Sequence, residues 1–167
     1  MVHAAERLWR ALFADGDSIR EGQEMVLYFM GAPDEQTGRR HKRSAWVTSL
    51  SGALAALEEQ QYAGLNAYFH LALHDRARAM QLAHEVDKSK GRTALRPLAK
   101  VRGLNKSATV IGCLWADFDV AGDDHERKGL PATREEILQK LRACPLVPSH
   151  LVYTGGGGVH AYWKLRE

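Results

Sequence analysis

Cysteine is scarce in this chain: Cys113 and Cys144 are the only two in 167 residues. They form no C-x-x-C pair and no disulfide framework, and they read as reduced cytoplasmic thiols. Long apolar runs are missing too. Met25 to Ala32 and Ala108 to Ala116 stop well short of the roughly 18 residues a membrane-spanning helix requires, so no membrane partner is expected. At the N-terminus, Glu6, Arg7 and Arg10 fall where a signal peptide needs an uninterrupted apolar stretch, and the expectation is a cytoplasmic chain. Internal repeats and a clear interdomain linker are absent as well. With 45% apolar and 26% charged residues, the composition is globular and excludes intrinsic disorder. The length suits one domain, divided into an N-terminal α/β part over 1–107 with a basic loop and a second part over 108–167.

Charge is present but unevenly placed. The formal net value is +3, a weak guide to partners. From Lys88 to Lys106 there are seven basic residues (Lys88, Lys90, Arg92, Arg96, Lys100, Arg102 and Lys106) and no acid. Arg39, Arg40, Lys42 and Arg43 make a second knot, whereas from Thr109 onward seven basic residues face eight acidic ones. This asymmetry points to a phosphate-rich partner along the first half, because Lys and Arg gain affinity there by displacing condensed counterions. A solvated basic loop is the plainer reading of the same residues.

Hydrophobic period and Gly/Pro punctuation set out the elements. Helices are predicted over Ala4–Ala14, Ser51–Gln61, with Ser49 or Ser51 as N-cap, and Ala77–Val86. Strands are predicted over Glu24–Met30 and Leu65–Leu73. In the second half, Thr109–Val120 reads as one strand, and Thr133-Arg-Glu-Glu136 as a capping box opening a helix to about Ala143. His150–Thr154 and Val159–Leu165 are strands flanking Gly155 to Gly158. The order strand, helix, strand, strand predicts α+β architecture, a mostly antiparallel sheet with covering helices.

Alternation along Thr109–Val120 sorts its side chains onto two faces. Leu114, Ala116, Phe118 and Val120 share one; Cys113, Trp115, Asp117 and Asp119 share the other. Two carboxylates aimed the same way repel and raise each other's pKa unless a cation lies between them, which makes Asp117 and Asp119 candidate ligands of a divalent metal. On the last strand His160, Tyr162 and Lys164 share a face. They follow a four-glycine turn whose backbone N–H groups no side chain obstructs, so Thr154, Gly155, Gly156, Gly157, Gly158, His160 and Lys164 form a candidate triphosphate cradle. A loose hairpin turn is the alternative. His70-x-x-x-His74 is a possible zinc pair without an evident third ligand, and the four tryptophans are core candidates before they are stacking platforms.

Gly112-Cys-Leu-Trp-Ala-Asp-Phe-Asp119, followed across a helix by Pro148-Ser-His-Leu-Val-Tyr-Thr-Gly-Gly-Gly-Gly-Val-His-Ala-Tyr-Trp163, resembles the archaeo-eukaryotic primase superfamily, in particular the primase-polymerase domains of plasmids, phages and mobile elements. The Asp-x-Asp motif matches Asp117 and Asp119. The small-residue turn leading to a His matches Thr154, the glycines and His160, with Thr154 standing where the family usually has Ser. Fainter echoes lie in Asn66-Ala-Tyr-Phe69 and Arg102-Gly103. The resemblance implies an RRM-like catalytic core and a DNA primase or polymerase that extends primers on a single-stranded DNA template from nucleoside triphosphates. It implies Mg²⁺ or Mn²⁺ on Asp117 and Asp119, nucleotide phosphates on His160, and a replicative helicase as partner. Template backbone would lie along Lys88 to Lys106. The family's third carboxylate motif has no match before Glu167, and Asp123 and Asp124 are poor substitutes by position, so the expected core is incomplete at its C-terminus. The competing reading is a non-catalytic nucleic-acid-binding or replication-initiation module.

Overall fold

The computed structural model of the chain describes residues 2–15, 18–19, 22–122, 129–154 and 156–165. Asp123, Asp124 and Gly155 lie outside the described residues. In chain order the elements are α1 (Val2–Phe13), β1 (Ala14–Asp15), β2 (Ser18–Ile19), β3 (Glu24–Pro33), β4 (Arg40–Val47), α2 (Leu50–Tyr62), β5 (Asn66–His74), α3 (Arg76–Ser89), β6 (Ala108–Ile111), β7 (Cys113–Phe118), α4 (Arg134–Arg142), β8 (His150–Tyr153) and β9 (Val159–Lys164). Every strand pairing is antiparallel, and with four helices among the described residues the class is α+β. No helix among them is long and apolar enough to cross a membrane. The chain divides into two units, Met1–Gly112 and Cys113–Glu167.

The first unit holds a four-stranded sheet in the order β4-β3-β5-β6. Its central strand β3 buries Met25 through Phe29 without interruption, the pattern of a strand covered on both faces. Register places Ser44, Tyr28 and Tyr68 on one rung and Arg43, Phe29 and Ala67 on the next, so these sets face opposite sides. On the Phe29 side, Trp9 and Phe13 of α1 meet the Phe69 ring edge-on at 5.7 and 6.5 Å between centroids. Phe29 is fully buried, and truncating such a ring to Ala costs about 3–5 kcal/mol. On the Tyr28 side, Ala79 and Ala83 of α3 pack with Val101, Trp46 and Met80. Ser49 caps α2, its Oγ accepting from Gly52 N at 3.1 Å.

Strand β4 is not among the predicted strands; in sequence its residues show only as a basic knot. Its first four residues are all exposed, so they lack the apolar alternation of a half-buried strand. Pairing with β3 from Met25↔Val47 to Pro33↔Arg40 imposes the extended form. The strand predicted over Thr109–Val120 is in fact two strands that join different sheets: β6 pairs with β5, and β7 with β9. The break falls at Gly112, where a Cβ would sit 2.5 Å from the Leu12 carbonyl oxygen and 3.3 Å from the Phe13 ring. Backbone passes there where a side chain does not fit.

The second unit is a three-stranded sheet in the order β7-β9-β8 with α4 packed on one face. Ile137 and Leu141 bury against Val159 and Ala161, flanked by Phe118, Val120 and Trp163. Thr133 Oγ1 caps α4, accepting from Glu136 N at 3.3 Å. The return bond of the predicted capping box shifts by one residue: Glu136 Oε2 accepts from Ala132 N at 2.9 Å. The face expected for Phe118 and Val120 is the one the structure gives. Leu114 shares that face by register with Trp163 but is 57% exposed, while Cys113 on the opposite face is buried.

Candidate functional site

On the sheet face away from α4, β9 lies between β7 and β8 and aligns three rungs: Asp117·His160·Val152, Trp115·Tyr162·His150, and Cys113 with Lys164. His160 Nε2 lies 3.2 Å from Asp117 Oδ1. The other ring nitrogen, Nδ1, faces the Tyr162 hydroxyl 3.4 Å away. Burial, then the nearby Cys113 and Asp117 charges, push the Tyr162 phenol up to about 12, so it stays a neutral donor. Burial likewise raises the Cys113 thiol to about 11, which makes it a poor nucleophile. Tyr162, His160 and Asp117 thus stand in one row of contacts.

The glycine turn closes beside this rung. Thr154 N donates to Gly158 O at 3.0 Å and Gly157 N to Thr154 O at 3.3 Å. A Cβ on Gly158 would meet the Phe118 carbonyl oxygen at 2.7 Å and Thr154 Oγ1 at 3.0 Å, and would sit 3.6 Å from Asp119 Cα. Gly157 has φ +90°. These two glycines therefore let the hairpin fold tightly against the end of β7, and the amides of Thr154 and Gly157 are already used inside the turn. Of the turn's described glycines, Gly156 has open space around it, which leaves room for an anion at its backbone.

Asp117, Asp119, His160, Thr154 and the turn are gathered at one end of the sheet. Lys164 is not among them: it shares the face but lies four residues along β9, roughly 13 Å away at strand rise. Arg134 is a site residue the sequence reading did not single out. Its Nε donates to Gly157 O at 3.1 Å and its Nη2 to Thr154 O at 3.3 Å, with the guanidinium 4.8 Å over the Tyr153 ring. The sequence held a signal for it, since a cation in the first turn of a helix opposes the macrodipole and needs a partner. Among the described residues no three His, Cys, Asp or Glu side chains form a metal-holding group.

The basic residues of the first unit meet elsewhere, in a groove of about 1130 Å³ whose lining includes Arg40, Lys42, Arg92, Lys100, Arg102 and Tyr28. The two basic clusters thus line one surface. Its wall, residues 90–107, is pinned at three points. Asp87, buried, accepts from Arg96 Nε at 3.0 Å and Nη2 at 2.6 Å, and Arg96, with Arg92 beside it, holds this carboxyl below its ordinary range. Trp46 Nε1 donates to Val101 O at 3.0 Å. Ser107 Oγ accepts from Leu104 N, donates to Leu104 O and faces His74 Nδ1 at 3.0 Å.

Arg96, expected on template, is therefore bound to Asp87. Lys88 and Lys90 are exposed but outside the groove lining, and Lys106 lines a neighbouring hollow of about 630 Å³ with His70 and Arg102. The pair His70 and His74 is hydrogen-bonded, Nδ1 to Nε2 at 3.1 Å. Compared with protein-family models, curated proteins and solved structures, the chain matches none.

Proposed function

We propose that the chain carries the catalytic residues of a DNA primase-polymerase, a nucleotidyltransferase of the archaeo-eukaryotic primase type that extends primers on a single-stranded template. The observation behind this reading is the Asp117·His160 rung closed by the glycine turn, with the sequence resemblance over the same residues. Asp117, 43% exposed, and Asp119 fit Mg²⁺ or Mn²⁺, because such hard ions are held by one or two carboxylates and complete their shell with water and substrate phosphates. Bound there, the ions supply charge neutralisation on the triphosphate and activation of the attacking hydroxyl. His160 stands 3.2 Å from Asp117, and the Tyr162 hydroxyl 3.4 Å from the other nitrogen of the same ring. Gly156 offers backbone to a phosphate, and the groove of the first unit offers cations to template. A helicase partner belongs to the same proposal.

The second reading, a non-catalytic nucleic-acid module, draws on the lack of a three-ligand metal group among the described residues. Metal-dependent incorporation of a labelled deoxynucleotide on single-stranded template separates the two. The expected outcome is incorporation that falls at least about a hundredfold in the Asp117→Asn, Asp119→Asn double variant. Equal incorporation by that variant overturns the site, and a folded chain that binds template without incorporating supports the second reading.

A further inference from the structure

The four tryptophans take different places in the fold. Trp9 is buried in the first unit, and Trp46 gives its Nε1 proton to Val101 O at 3.0 Å. Trp163 donates to Leu146 O at 2.9 Å and packs on the core beneath α4. Trp115 differs: it lies on β7 two residues before Asp117, and its indole is 51% exposed. Register pairs Trp115 with Tyr162 and Asp117 with His160, so Trp115 shares the sheet face of the carboxylate site, away from α4. Its ring meets the His160 ring edge-on, 6.3 Å between centroids. An indole ordinarily buries its large apolar area in a core or an interface; this one stands open beside the residues proposed to hold a triphosphate.

We propose that Trp115 is the base platform of the nucleotide site: with the triphosphate at Asp117 and Asp119, the nucleobase of the incoming nucleotide stacks on the indole. The inference rests on the nucleotidyltransferase reading above and extends it from the phosphates to the base. Alternate residues of a strand stand about 6.8 Å apart on one face, the reach from a nucleotide's α-phosphate across one sugar to its base. His160 borders both subsites, 3.2 Å from Asp117 and edge-on to Trp115. Every base offers a π-face, so an indole holds any of the four with little preference. Such tolerance suits a site whose choice of base is made by pairing with a template rather than by the protein.

The test is calorimetric titration of the whole chain, in Mn²⁺ and without template, with two probes: a deoxynucleoside triphosphate, and inorganic tripolyphosphate, which carries the phosphates without a base. Expected for Trp115→Ala and Trp115→Leu is about tenfold weaker binding of the deoxynucleoside triphosphate, with tripolyphosphate bound as by wild type. Trp115→Phe keeps a ring and should bind the deoxynucleotide nearly as wild type does. The nucleotide should quench indole fluorescence in the wild-type chain and much less in Trp115→Phe. Trp115 is exposed, and circular dichroism checks that its variants fold. Wild-type affinity for the deoxynucleotide in Trp115→Ala, or equal weakening of both probes, overturns the base platform and leaves the carboxylate site standing. If neither probe binds the wild-type chain in Mn²⁺, the nucleotide site itself fails and the platform falls with it.

Discussion

At the scale of residues, the polar interior of the first unit is a directed chain. Ser107 gives its one hydroxyl proton to Leu104 O, so His74 donates from Nδ1 to Ser107 and accepts at Nε2 from His70 Nδ1. Burial lowers the His74 pKa below its ordinary 6.5. Burial, then His74 and Arg102, bring His70 down to about 4. A histidine depressed in the fold takes up fewer protons there than in the unfolded chain, so stability is complete above about pH 6.5 and declines as pH falls toward 4. Urea unfolding between about pH 6.5 and 5 should show this decline, and His70→Asn should flatten it. An unchanged slope in His70→Asn would remove the pair as its cause. The pattern His-x-x-x-His was visible in the sequence as a possible zinc pair. Its partner Ser107, 33 residues from His74, was not, because tertiary contact alone brings it there.

At the scale of elements, Arg134 links α4 to the glycine turn. Its planar fork bonds two carbonyl oxygens and draws them to the α4 side. Arg134→Gln should cost about 1–2 kcal/mol of stability and weaken nucleotide binding. Arg134→Lys should not restore either, since one ammonium does not reproduce the fork. Urea denaturation and nucleotide titration read these effects, and full recovery in Arg134→Lys would contradict the role given to the fork. Elements with a buried face were legible: α1, α2, α3, α4, β3, β5, β8 and β9 fall within a few residues of their predicted spans. β4 was hidden because exposed basic residues carry no period, and the join between β6 and β7 because Gly112 reads as an ordinary strand glycine until α1 is seen beside it. The candidate carboxylates, His160 and Thr154 were legible from alternation and resemblance. The contact of Tyr162 with His160 and the exclusion of Lys164 needed the register of β9, and Arg134 needed the folded turn.

At the scale of the whole molecule, the chemistry divides between the two units. The first concentrates cations on one sheet face; the second brings two carboxylates, a histidine and a glycine turn to one sheet end. Asp117, Asp119 and His160 with the turn are proposed as a metal-dependent nucleotide site. The most direct measurement is calorimetric titration of the chain with a deoxynucleoside triphosphate, with and without Mn²⁺, beside the Asp117→Asn, Asp119→Asn double variant. Heat that depends on the metal and disappears in the variant is expected. Metal-independent heat, or none from a well-folded chain, would contradict it.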